Sequence, residues 1–297
     1  MNDGNVLLIF VKRFFFVLAL LFPLGAVADS VLDSLYVVVH LQPNGDAQIT
    51  EKRVMTVDNV GTECYTVVGN LDPDSHITDF KMFDENGGHY FTYVSDWDAL
   101  HTRAQKTQKC GVVKTDSSTY CLCWGLGQEG KRREYWVCYT ITHLVRSFAD
   151  YDALTYQFVA PGMQPLPRYA KVIMSPDEGE FSDGSAKVWG KGYDGEALWR
   201  NGFIVASKEK SMKDNEAIVL LCRFEKGLFS PALVTDVPFS VLKNDFSTPM
   251  MKKEGKKVGK KKHNITLLVV SAFLLWVVLI AILLYVFKKR GKNNPSP

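Results

Sequence analysis

Two stretches fit G-x-G-x-x-G, the pattern in which glycines let a backbone approach a dinucleotide pyrophosphate: Gly125-Leu126-Gly127-Gln128-Glu129-Gly130 and Gly190-Lys191-Gly192-Tyr193-Asp194-Gly195. That chemistry needs a strand before the loop and a helix after it, whose N-terminus meets the phosphates. Here Tyr135-Trp136-Val137 and Ala197-Leu198-Trp199 follow, aromatic and strand-like, so both stretches read as hairpin loops. Carboxylates at Asp72-Pro73-Asp74-Ser75-His76 and at Asp150-Tyr151-Asp152 could offer oxygens to calcium. Turn and cap roles explain them as well and are preferred. Asp150 and Asp152 also suit the acid and base of a hydrolase, because carboxylates two apart on an extended strand share a face at roughly 6–7 Å. Nothing around them supplies a cleft. The six histidines, at 40, 76, 89, 101, 143 and 263, show no metal spacing, and no H-E-x-x-H, G-x-S-x-G or P-loop pattern occurs. No catalytic residue, cofactor site or metal ligand is expected, and the chain reads as a binding or structural protein rather than an enzyme.

Six cysteines, at 64, 110, 121, 123, 138 and 222, remain to be placed. A two-residue turn at Asp116-Ser117 would set Cys110 opposite Cys123, which makes a 110–123 disulfide possible in an oxidising compartment. Cys121 and Cys123 lie on one face of a strand and are badly placed to bridge each other. Cysteine also serves as a small buried hydrophobe.

The elements that would carry these residues are mostly strands. Tyr36–Leu41 and Ile49–Val57 flank Asn44-Gly45, a strong hairpin signal. Ile77–Phe83 and Tyr90–Val94 flank the turn cluster Asp84–Gly88. Ser95–Lys109 is the one convincing helix, with Ser95 and Asp98 as its cap and Gly111 beyond its end. Cys110–Lys114, Thr119–Trp124 and Lys131–His143 then read as a meander, the last alternating with the period of a pleated strand. Ala153–Val159 is a further strand. The proline-rich run Ala160–Pro167 cannot continue any element and marks a domain boundary. Beyond it come Arg168–Met174, Ala186–Trp189, a hairpin about Asn201-Gly202, and Glu216–Phe224, whose continuous apolar run suits a strand covered on both faces. Short strands at this spacing predict sandwiches rather than a parallel sheet. Trp97, Trp124, Trp136, Trp189 and Trp199 are read as core rather than as a ligand platform.

The termini place the chain. Ile265–Phe287 holds 23 uncharged residues, about 34 Å as a helix at roughly 1.5 Å per residue, which matches a bilayer core of about 30 Å. Lys12-Arg13, the apolar run Phe14–Leu24 and Gly25-Ala26-Val27-Ala28 fit a cleavable export signal. The formal charge of +3 is unevenly spread: residues 252–264 contribute +6, the tail after Phe287 contributes +4 and the first 28 residues +1, leaving −8 for residues 29–251. An acidic body excludes a nucleic-acid binder. The lysine run would by itself invert the span under the positive-inside rule, but an exported domain fixes the topology before the span is made.

Tyr120–Gly127 (YCLCWGLG), Tyr135–Val145 (YWVCYTITHLV) and Asp150–Val159 (DYDALTYQFV) resemble the exported region of the bacterial predicted membrane proteins grouped as domain of unknown function 2207. Lys187–Gly195 (KVWGKGYDG), Asn201–Ala206 (NGFIVA), Arg223–Pro231 (RFEKGLFSP) and the opening Leu35–Val57 are similar to its other blocks. The resemblance covers nearly all of residues 30–235. It implies an export signal, a β-rich exported domain and a membrane span, with no established activity or catalytic residue.

The expected protein is therefore mainly β. It has a signal peptide (1–28), two immunoglobulin-like β-sandwich modules (29–160 and 168–240), a lysine-rich linker (241–264), one transmembrane helix (265–287) and a cytoplasmic tail (288–297). Its expected partners are the lipid bilayer and an unidentified protein or envelope component at the cell envelope, with no nucleic acid. The alternative reading is a membrane-tethered hydrolase acting on envelope polymers.

Overall fold

The computed structural model describes residues 30–57, 61–127 and 132–248. The expected export signal, lysine run, transmembrane helix and tail lie outside them. Among the described residues no helix is long and apolar enough to cross a membrane.

Asn44-Gly45 turns the chain as expected. β1 (Val31–Leu41) and β2 (Ala47–Thr56) pair antiparallel about it, with Gly45 at φ +88° and the Asn44 side-chain amide donating to Asp46 Oδ2 at 2.8 Å. β3 (Glu63–Val68), β4 (Ile77–Asp84), β5 (His89–Tyr90) and β6 (Thr92–Tyr93) follow. After the single-turn helix α1 (Arg103–Lys106) come β7 (Lys109–Asp116), β8 (Thr119–Gly125) and β9 (Arg132–Ile141). The chain continues through β10 (Arg146–Ser147), β11 (Asp152–Val159), β12 (Ala170–Pro176) and β13 (Ala186–Lys191). It closes with β14 (Glu196–Arg200), β15 (Phe203–Lys208), β16 (Ile218–Phe224) and α2 (Phe239–Ser247).

These strands make three open sheets. A wide sheet of eight runs β14-β15-β12-β1-β2-β9-β4-β5, and two sheets of four run β10-β11-β16-β13 and β3-β8-β7-β6. Alternation along the wide sheet buries one face: Leu35, Val37 and Val39 of β1, Ile49 of β2, Val137 and Ile141 of β9, Val172 and Met174 of β12. The same core takes in Leu122 and Trp124 of β8 and Leu154, Leu220 and Phe224 of the β16 sheet. The two small sheets thus form the second layer over one large sheet.

β16 is covered on both faces, as its apolar run predicts. Leu220, Cys222 and Phe224 enter the main core, while Val219 and Leu221 meet Phe239 and Phe246 of α2 in a second cluster. Helix α2 was not expected, since its sequence was divided between the second module and the linker. Its signal was nonetheless present: Pro238 precedes Phe239, Leu242 and Phe246, which lie on one helical stripe.

Three expectations need correction. The boundary at Ala160–Pro167 does not separate two immunoglobulin-like modules, because β12, beyond it, pairs in parallel with β1 from Leu35↔Ala170 to Leu41↔Pro176. The prolines end one strand and carry the chain from the small sheet to the wide one; a strand break is not a domain break. Next, the meander holds only for its first two strands. β7 pairs with β8, but β9 leaves for the wide sheet between β2 and β4. Finally, Ser95–Lys109 contains one helical turn, capped by Thr102 with Gln105 and not by Ser95. Trp97 lies over Gly111 instead, and its indole N–H donates to Glu63 Oε2 at 3.0 Å. Tertiary contacts to the β8 sheet overrode a local helical pattern.

The Asn201-Gly202 turn joins β14 to β15 with φ of +49° and +78°, both in the left-handed region. A β-carbon at Gly202 would meet the Glu180 side chain at 2.5 Å. Gly202→Ala is expected to lower stability by about 1–2 kcal/mol, read as a shifted denaturant midpoint with unchanged slope.

Candidate binding cleft

A break in the second layer opens beside β11. That strand has eight residues, but its neighbour β10 has only two, so most of one β11 edge has no strand beside it among the described residues. A cleft of about 280 Å³ lies there, walled by Asn70–Asp72 of the loop after β3, by the turn at His143–Arg146, by Leu154–Tyr156 of β11 and by Leu242 of α2.

Its polar wall is braced by short-range turn chemistry. Asp72 and Arg146 form an ion pair across the cleft, and burial holds the Arg146 guanidinium below its ordinary pKa. Asp72 Oδ1 accepts the Asp74 amide at 3.2 Å, and its backbone carbonyl accepts the Ser75 amide at 2.9 Å. The His143 amide donates to Asp46 Oδ1 at 2.7 Å, and the Val145 amide to the Gly45 carbonyl at 2.8 Å. The β1–β2 turn therefore pins the 143–146 turn. Such loops on a sheet scaffold suit recognition, because little ordering remains to be done on binding.

The floor is more unusual. Tyr156 is buried, in the same core as Tyr139. Tyr139 donates its hydroxyl to Glu51 Oε1 at 2.8 Å. Arg53 Nε reaches Glu51 Oε2 at 2.8 Å, and Arg53 Nη2 reaches Thr66 Oγ1 at 2.7 Å. Burial, and then the Glu51 charge, push both tyrosines well above the ordinary phenol value. Both phenols stay protonated and internal. They rigidify the floor and present no nucleophile to the cleft.

The residues singled out from sequence lie elsewhere. Asp150 Oδ1 accepts the Phe239 amide at 2.7 Å and so caps α2. Asp152 is 1% exposed and pairs with Lys226 at 3.0 Å. Both carboxylates hold elements together, and neither lines the cleft. Asp72 and Asp74 take the preferred turn roles, and among the described residues no three metal-ligating side chains converge. The two glycine-rich stretches do not join paired strands: each lies where the chain passes from a small sheet to the wide one, and the next element among the described residues is a strand, β9 or β14. Arg146 and His143 were missed, and no local signal marks them; only the fold brings them to Asp72 and Asp74.

Cys110 and Cys123 do not face each other, and neither is in a disulfide. Asp116 opposes Thr119 across the turn, with an irregularity between Lys114 and Asp116, so Cys110 opposes Trp124 and Cys123 opposes Gly111. A one-residue slip moves a side chain to the other face of a sheet, and the two thiols point apart. Burial pushes the thiol of Cys110 up to about 11, and burial with the Cys121 and Glu63 charges pushes Cys123 up to about 12. Alkylation of native protein at pH 8 is expected to leave Cys110, Cys123 and the fully buried Cys222 at least about 100-fold slower than an ordinary thiol. A Cys110–Cys123 linked peptide in a non-reducing digest would contradict this.

The profile of the family described as "Predicted membrane protein (DUF2207) N-terminal domain" matches residues 32–217. No curated protein matches the chain. Among solved structures, an M1 zinc metallopeptidase from Deinococcus radiodurans is 8% identical, with 65% of this chain and 42% of that one covered and a TM-score of 0.33. A putative protease from Parabacteroides distasonis is 12% identical over 67% and 41%, with a TM-score of 0.37. Leukotriene A4 hydrolase from Saccharomyces cerevisiae is 5% identical over 67% and 30%, with a TM-score of 0.38. The chain spans less than half the length of each, and no activity is carried over from these likenesses.

Proposed function

The chain belongs to the family of predicted membrane proteins described as DUF2207, and from that premise we propose that it is a single-pass cell-envelope protein that binds a partner through the cleft beside β11. The apolar run 265–287 would anchor it and the signal-like start would export it, leaving the β-rich body outside the cytoplasm. One observation carries the binding reading: the second layer is interrupted where two braced loops, one helix side chain and an open strand edge converge. The hydrolase alternative gains no support, because Asp150 and Asp152 are engaged in helix capping and an internal ion pair.

Thr155→Trp tests the reading. Its side chain is exposed and lines the cleft, so the larger ring fills the space while the fold stays intact. Crosslinking of the full-length protein in native membranes is expected to give specific adducts that Thr155→Trp removes. An unchanged adduct pattern would overturn the cleft as the binding site. Protease applied to intact cells checks the topology, and is expected to degrade the β-rich body and spare the tail.

A further inference from the structure

We propose that the occupant of this cleft is an extended peptide, taken up as an added strand along β11. The inference rests on the cleft being the binding site and goes further by naming the chemistry it recognises.

The hydrogen-bond phase of β11 supports it. The Phe148 amide donates to the Tyr151 carbonyl at 2.8 Å, and Arg146 opposes Ala153. In an antiparallel ladder alternate residues turn their backbone groups to the same side, so Ala153 faces β10, and Thr155 and Gln157 face the same way. On the other side, the Glu225 amide bonds the Ser185 carbonyl. That sets the odd-numbered residues of β16 toward β13 and the even-numbered ones toward β11, where Leu220 opposes Tyr156 and Cys222 opposes Leu154. Both ladders agree: the N–H and C=O of Thr155 and Gln157 point out of the sheet. Pairing with β10 reaches only to Arg146↔Ala153, and among the described residues no strand continues beside β11 beyond it.

An unpaired edge of this kind is a template for another strand. From Thr155 to Gln157, where an irregularity interrupts the strand before Val159, it offers about 10 Å at about 3.3 Å per residue, enough to pair about three residues. The edge carries no lysine or proline to discourage pairing. Alternation then dictates the ligand. One face of an added strand would meet Leu71, Leu154 and Tyr156, which belong to the core; the other would emerge beside exposed Thr155. The fitting peptide is apolar at every second position and polar between. The Asp72–Arg146 pair and the His143 turn close one end, so charge on the peptide is not what the cleft reads.

The test uses the full chain in lipid nanodiscs and a bead-displayed library of random octapeptides. Hits are expected to alternate apolar and polar residues. Methylating the backbone nitrogens of one alternating set in a hit should weaken binding about tenfold or more per contacting amide, while methylating the other set should not. Thr155→Pro, which removes an outward amide, should weaken the same hits, with thermal melting confirming that the variant is folded. Hits indifferent to which set is methylated, or an absence of hits, would overturn strand addition. If Thr155→Trp still abolishes the membrane adducts, only the strand mode has failed. If it does not, the cleft reading has failed as well. A concentration-dependent dimer that peptides do not dissociate would mean a second copy occupies the edge, and also overturns the proposal.

Discussion

Arg53→Met is expected to destabilise the fold by about 3–5 kcal/mol, the range for removing one partner of a buried ion pair. Glu51 and Arg53 are each 4% exposed on the inner face of β2. Arg53 and the Tyr139 hydroxyl bind the two oxygens of the Glu51 carboxylate there. Met fills the stem of Arg53 but leaves the carboxylate unpaired in a low-dielectric layer. The double variant Glu51→Leu/Arg53→Met removes both charges and should recover at least half of the loss, because the desolvation of two ions goes with them. Chemical denaturation of wild type, both single variants and the double variant closes the cycle. A loss below about 1 kcal/mol for Arg53→Met would mean that water reaches the pair and that the cleft floor is not sealed.

Gly125→Ala should cost a similar amount, about 3–5 kcal/mol, for a steric reason. A β-carbon there would lie 1.9 Å from the Lys106 carbonyl oxygen and 2.3 Å from its carbon. Both are backbone atoms that no rotamer change can move. The segment bearing α1 would have to lift from β8, and Lys106 anchors that segment. Its ammonium, 2% exposed, donates to the Ala99 carbonyl at 2.6 Å and to Thr62 Oγ1 at 3.0 Å, and pairs with Glu63 at 3.0 Å. Unfolding midpoints together with Trp97 emission, which reports its bond to Glu63, would check this. An unchanged midpoint would show that the α1 segment is not held down as described.

The strands were legible in the sequence because their signals are local. Asn44-Gly45 and Asn201-Gly202 set two hairpins, and the unbroken apolar run of β16 announced a strand covered on both sides. Sheet membership was not legible. Nothing near Ala170 says that it pairs with Leu35, and a stop at three prolines looks the same whether the chain leaves a domain or changes layer. The Cys110–Cys123 reading failed on a single residue of register, which the Asp116–Thr119 turn decides. The cleft was invisible for the same reason: Asp72, Arg146 and Thr155 are ordinary loop and strand residues until the shortness of β10, which among the described residues leaves part of the β11 edge open, gives them a common space. Asp150 and Asp152 were conspicuous, and their work is to cap α2 and to pair with Lys226.

β16 has one more implication. The family match stops at residue 217, one position before that strand begins. A protein trimmed at the edge of the match would lose the one strand that, among the described residues, pairs with both β11 and β13, and the backbone groups of Leu154 and Tyr156 would lose their ladder partners. The natural unit for expression thus runs to Thr248, past the helix that roofs β16. Synthesis meets the same constraint: among the described strands β16 is made last, and this layer cannot close until it arrives to slide between two that have long been waiting.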